Sequence, residues 1–96
     1  MAELLDTAAV TTALGSLPGW DRDGDALVRT AELSSFPAAI AVVGRVAEIA
    51  EASDHHPDID IRWRTLTFRL STHSDGGITA KDVDLARAIS GQIDEG

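Results

Sequence analysis

Residues 59–71 read Ile59-Asp60-Ile61-Arg62-Trp63-Arg64-Thr65-Leu66-Thr67-Phe68-Arg69-Leu70-Ser71, and this stretch decides the fold. It alternates apolar and polar residues as a half-buried strand does, but the phase changes midway. Ile59, Ile61 and Trp63 occupy odd positions, whereas Leu66, Phe68 and Leu70 occupy even ones. A single straight strand would put these sets on opposite faces of a sheet. A tight turn at Arg64-Thr65 instead puts both on one face of a hairpin, with Asp60, Arg62, Arg64, Thr67 and Arg69 on the other. The apolar face then packs under helices, Trp63 reading as core, and the polar face is wet or meets a partner.

Working outward, Ser34 and Ser35 offer helix N-caps and Pro37 is tolerated in a first turn. A helix from Phe36 to Asp54 follows, with Phe36, Ile40, Val43, Val46, Ala47 and Ala50 as its apolar stripe. Pro57 cannot continue it and drives His56 toward an extended conformation, so the helix ends near His55. Nearer the N-terminus, Val10, Leu14 and Leu17 predict a short helix from Thr7 to Leu17, stopped by Pro18-Gly19. A strand opening at Trp20, a turn at Asp23-Gly24-Asp25 and a strand from Ala26 to Leu33 make the first hairpin. Downstream, Asp75-Gly76-Gly77 turns the chain into a last helix, Ala80 to Ile93. Thr79 and Asp82 form an acidic variant of a capping box, and Val83, Ala86, Ile89 and Ile93 make the inner stripe. The order αββαββα specifies an α+β fold. We expect one domain over residues 1–96, a four-stranded antiparallel sheet with three helices packed on one face.

The chain has 96 residues, 44% of them hydrophobic and 25% charged, as in an ordinary globular protein. A core this small supplies modest stability, and self-association is a common remedy. Sixteen acidic against eight basic residues give a formal net charge of −8, which repels phosphate backbones and anionic lipid. No nucleic-acid or membrane partner is therefore expected. The absence of cysteine excludes disulfide and thiolate chemistry and fits a cytoplasmic location. The first residues, MAELLDTAAV, carry acids where a signal peptide needs lysine or arginine. No apolar run approaches the roughly 18 residues needed to span a bilayer.

All three histidines lie in two short segments, EASDHHP (51–57) and STHSDGGIT (71–79). These flank the second hairpin, whose ends return to one place, so His55, His56 and His73 are brought near one another. Imidazole is the side chain best suited to giving and taking protons near neutral pH. A zinc site is the rival reading, but adjacent histidines point apart, and neither His-x-x-x-His nor Cys-x-x-Cys spacing is present. Glu51, one turn before His55, reads either as its partner or as a solvated acid. Asp82 reads from composition as part of the helix cap. Ser71 and Thr72 are strand-end caps or donors to a ligand, and neither sits in a Ser-His-Asp arrangement.

Taken together, Glu51-x-x-x-His55-His56-Pro57, the aromatic Trp63, Ser71-Thr72-His73 and Gly77-Ile78-Thr79-x-x-Asp82 resemble the pterin-4a-carbinolamine dehydratases. Phe36, Arg45-Val46-Ala47 and Pro18-Gly19-Trp20 extend the resemblance over essentially the whole chain. It implies the fold above and a substrate, the 4a-hydroxytetrahydropterin released by aromatic amino-acid hydroxylases. It also implies dehydration to the quinonoid dihydropterin, with no metal and no organic cofactor. By the same resemblance His55 and His73 are the acid–base pair, His56 binds and orients the pterin, and Asp82 supports the histidines. The resemblance likewise implies that Glu51, Asp54, Pro57, Trp63, Ser71 and Thr72 line the substrate site. Ser74 stands where the family often has an acid, and Ile59 where its animal members have an aromatic. Homodimers or homotetramers, and a functional link to a hydroxylase, are the partners implied. A non-catalytic dimerisation or scaffold protein of the same fold is the alternative.

Overall fold

The computed structural model describes residues 3–95. Its elements run α1 (Thr7–Leu14), β1 (Asp21–Asp23), β2 (Ala26–Glu32), α2 (Phe36–Ser53), β3 (Asp58–Arg62), β4 (Thr65–Leu70) and α3 (Ala80–Glu95). The expected order αββαββα is therefore present. The strands pair antiparallel in the order β1-β2-β4-β3, so the two hairpins meet through their second strands.

Local chemistry sets most boundaries. The Asp6 carboxylate caps α1 by accepting the Ala9 N–H at 2.8 Å. α1 stops at Leu14 rather than Leu17, because Ser16 and Leu17 donate to Ala13 and Leu14 in tighter turns. Leu17 nonetheless stays in the core. Ser35, not Ser34, caps α2 by accepting the Ala38 N–H at 3.1 Å, with Pro37 in the first turn. Asp23 pairs directly with Ala26, so Gly24-Asp25 is the tight turn of the first hairpin; Gly24 there has φ +60°, which glycine adopts without steric cost.

The central β2–β4 pair carries the core. Leu27 faces Leu70, Arg29 faces Phe68, and Ala31 faces Leu66. Leu66, Phe68 and Leu70 are fully buried beneath Val10 of α1, Val42 and Val46 of α2, and Ala86 and Ile89 of α3. Removing such a side chain from water stabilises the fold by about 1.5–3 kcal/mol each. On the opposite sheet face the Thr30 and Thr67 hydroxyls meet at 3.0 Å in the open. Arg29 and the Trp20 indole both donate to the Ser90 hydroxyl at 2.9 Å, tying the first hairpin to α3.

Three further sequence expectations need correction. The second hairpin turns at Trp63-Arg64, one residue earlier than expected, since Arg62 pairs directly with Thr65. The phase change is as read: Ile59 faces Phe68 and Ile61 faces Leu66. Trp63, however, is not core. It occupies the tip at φ +55°, 71% exposed, with the Arg64 guanidinium over its ring at 4.8 Å. The inner face of α2 is also rotated: Ala39, Val42, Val46 and Ala50 are buried, whereas Phe36 and Ile40 are exposed. α2 is apolar along most of its first half and in each turn beyond, so two overlapping stripes satisfy its periodicity. Ala39, Val42, Val46 and Ala50 fall on one face at i, i+3, i+7 and i+11, and that face is the one turned to the core.

Candidate active site

α2 ends on Asp54, which adopts the left-handed conformation (φ 51°, ψ 41°) as C-cap. Its backbone leaves the helix axis there, and the His55 N–H returns to the Ala50 carbonyl at 3.1 Å. The next two side chains consequently go separate ways. His55 turns inward and places Nε2 2.6 Å from Asp82 Oδ1. His56 turns outward and places Nε2 2.7 Å from Glu51 Oε1. Glu51 is thus a partner of His56, not of His55.

Asp82 has no exposed surface, which is rare for a carboxylate and requires full satisfaction of its oxygens. Oδ2 accepts the Thr72 hydroxyl at 2.8 Å and the Thr79 N–H at 2.9 Å; Oδ1 faces His55. The capping box read from the sequence is present, and it lies in the first turn of α3, where the helix dipole favours a negative charge. One carboxylate therefore caps a helix and grips an imidazole at once.

β3 and β4 close the hairpin with Asp58 opposite Arg69, so the chain after β4 arrives beside the chain before β3. The two histidine segments meet there through the His55–Asp82–Thr72 contacts, which involve neither the His56 ring nor the His73 ring. Ser71 and Thr72 are both buried. Ser71 donates to the Asp25 carbonyl at 2.8 Å and Thr72 to Asp82, so both hydroxyl hydrogens already have protein acceptors. His73 starts a single 3-10 turn, His73–Asp75, closed by Gly76 at φ +80°. It is exposed and makes no side-chain hydrogen bond among the described residues.

Two openings flank the histidine pair. A cavity of about 300 Å³ between α2 and α3 is lined by His55, Ile49, Ser53, Lys81, Asp84 and Leu85, among others. A shallower groove of about 480 Å³ is lined by Glu51, His56, Pro57, Ala47 and Ile59, among others. Nothing in the spacing of Ser53 on α2 and of Lys81 and Asp84 on α3 signals in the sequence that they border one space. Asp54 is exposed at the helix end. Trp63 lies beyond the far end of β3, five strand residues (Asp58–Arg62) away from Pro57, and so stands apart from the cluster within this chain. Among the described residues, no group of three or more His, Asp or Glu side chains is arranged to hold a metal ion.

A family described as pterin 4 alpha carbinolamine dehydratase matches residues 3–92. The chain belongs to this family. A protein of Nocardia farcinica, provisionally named pterin-4-alpha-carbinolamine dehydratase, is 62% identical over 93 residues, covering 97% of this chain and 94% of that protein. The crystal structure of a transcriptional coactivator/pterin dehydratase from Brucella melitensis superposes with a TM-score of 0.92 at 28% identity. The match covers 95% of this chain and 99% of that one. A pterin dehydratase-like RuBisCO assembly factor of the alpha-carboxysome shares the fold, at 15% identity and a TM-score of 0.64, over 77% of this chain and 86% of that one. Family and relatives together support a pterin dehydratase. No helix among the described residues is long and apolar enough to cross a membrane.

Proposed function

We propose that this chain dehydrates 4a-hydroxytetrahydropterin to quinonoid dihydropterin and water by histidine acid–base catalysis, in the recycling of tetrahydropterin. In this reaction the C4a–O bond breaks and a C4a–N5 double bond forms. One imidazole protonates the departing hydroxyl, and another group takes the N5 proton. His55 and His73 fill these roles, each transfer contributing typically about 10²–10⁴-fold. His56 orients the pterin, with Glu51 holding its ring. Asp82 fixes His55, and Asp54, Pro57, Ser71 and Thr72 complete the surroundings, the last two held by hydrogen bonds to Asp25 and Asp82; Trp63, at the hairpin tip, would reach a pterin only from another copy of the chain.

The observation that carries this reading is the buried Asp82 carboxylate bonded to His55 beside an open cavity. A carboxylate is costly to bury, and a helix cap alone does not need the imidazole. Stopped-flow decay of the 4a-carbinolamine tests it: catalysed decay is expected, and decay no faster than without protein ends the reading. A second reading, an interaction module, is favoured by exposed Phe36, Ile40, Ile61 and Trp63. Inert kinetics together with a stable complex, homo-oligomeric or mixed, would favour it.

A further inference from the structure

We infer that Thr79, besides capping α3, is a positioning residue whose hydroxyl anchors a directed hydrogen-bond chain ending on the Asp82 carboxylate, which accepts in turn from the His55 imidazole. Its consequence for rate rests on the dehydratase reading above; the chain itself does not. The direction follows from counting hydrogens. A hydroxyl has one hydrogen, and a carboxylate has only acceptors. Thr72 Oγ1 lies 2.8 Å from Asp82 Oδ2 and 2.8 Å from Thr79 Oγ1. The single Thr72 hydrogen goes to the carboxylate, so Thr79 must donate to Thr72. Thr79 Oγ1 in turn accepts the Lys81 backbone N–H at 3.2 Å, a donor that cannot reverse. The order is therefore Lys81 N–H, Thr79, Thr72, Asp82.

All three side chains are buried, Thr79 and Asp82 completely, so bulk water does not compete for these bonds. With Oδ2 held by Thr72 and the Thr79 N–H, Oδ1 remains to accept from His55 Nε2 at 2.6 Å. A neutral His55 ring then carries its hydrogen on Nε2, and Nδ1 is the nitrogen left to take a proton. Thr79 touches no reacting atom. It polarises and pins Thr72, and through it the carboxylate that selects the tautomer.

The test is long-range ¹H–¹⁵N NMR of the His55 ring in the full chain, at a pH where the ring is neutral, alongside carbinolamine kinetics. The wild-type ring is expected as the Nε2–H tautomer. Thr79→Val should give a mixture of tautomers and lower kcat about tenfold, the scale of one hydrogen bond, leaving KM within about twofold. Thr79→Ser should restore both. A wild-type ring in the Nδ1–H form overturns the chain, and that spectrum decides even if Thr79→Val does not fold. A folded Thr79→Val with wild-type tautomer and kcat also overturns it. A mixture in Thr79→Val with wild-type protein inert toward the carbinolamine upholds the chain and rejects the dehydratase reading instead.

Discussion

His55 and His56 are neighbours in the chain, and each meets a carboxylate at nearly the same distance, 2.6 Å and 2.7 Å. Their settings differ in almost every other respect. The His55–Asp82 side chains are 12% and 0% exposed; those of His56 and Glu51 are 56% and 80% exposed. A solvated pair is screened by water and loses side-chain entropy on forming, so it contributes little. A buried pair interacts strongly but must be completely hydrogen-bonded, or it costs more than it contributes. Asp82 meets that condition through Thr72 and Thr79. Equal distances thus describe two different devices: a rigid, preorganised imidazole and an adjustable one at the rim.

Breaking the inner pair should have the largest effect. Asp82→Ala leaves the Thr72 hydroxyl, the Thr79 N–H and His55 without their acceptor, and should lose about 3–5 kcal/mol in urea unfolding. His55→Ala should lower kcat/KM by about 10²–10⁴-fold while the chain remains folded, as circular dichroism would show. His73→Ala should cost at least about tenfold in rate and shift unfolding by no more than about 0.5 kcal/mol, because the side chain is exposed. Smallest of all, Glu51→Gln should change unfolding by under about 1 kcal/mol, and added salt should shrink even that.

Much of this contrast was hidden in the sequence, and for identifiable reasons. The hairpin phase change, the Gly24 turn, Ser35 and the Thr79–Asp82 box are local signals, and each appears where the residues indicate. The meeting of the two histidine segments followed from the hairpin as well. The destination of each imidazole did not, because the left-handed Asp54 cap redirects the chain just before the pair. Helical spacing therefore leaves Glu51 as either a partner of His55 or a solvated acid, and in the structure it is largely exposed and bonded to His56. The burial of Asp82 depends on how α3 seats against the end of α2, which no local pattern encodes. Trp63 misled for the opposite reason: its alternation is right, but a turn one residue earlier puts it at the exposed tip.

The most direct test of the account is the ratio of kcat/KM losses for carbinolamine dehydration in Asp82→Asn and Glu51→Gln, both nearly isosteric. If the buried pair is the catalytic centre, Asp82→Asn should lose about 10²-fold or more and Glu51→Gln less than about threefold. Comparable losses in the two variants, or a larger loss in Glu51→Gln, would contradict it.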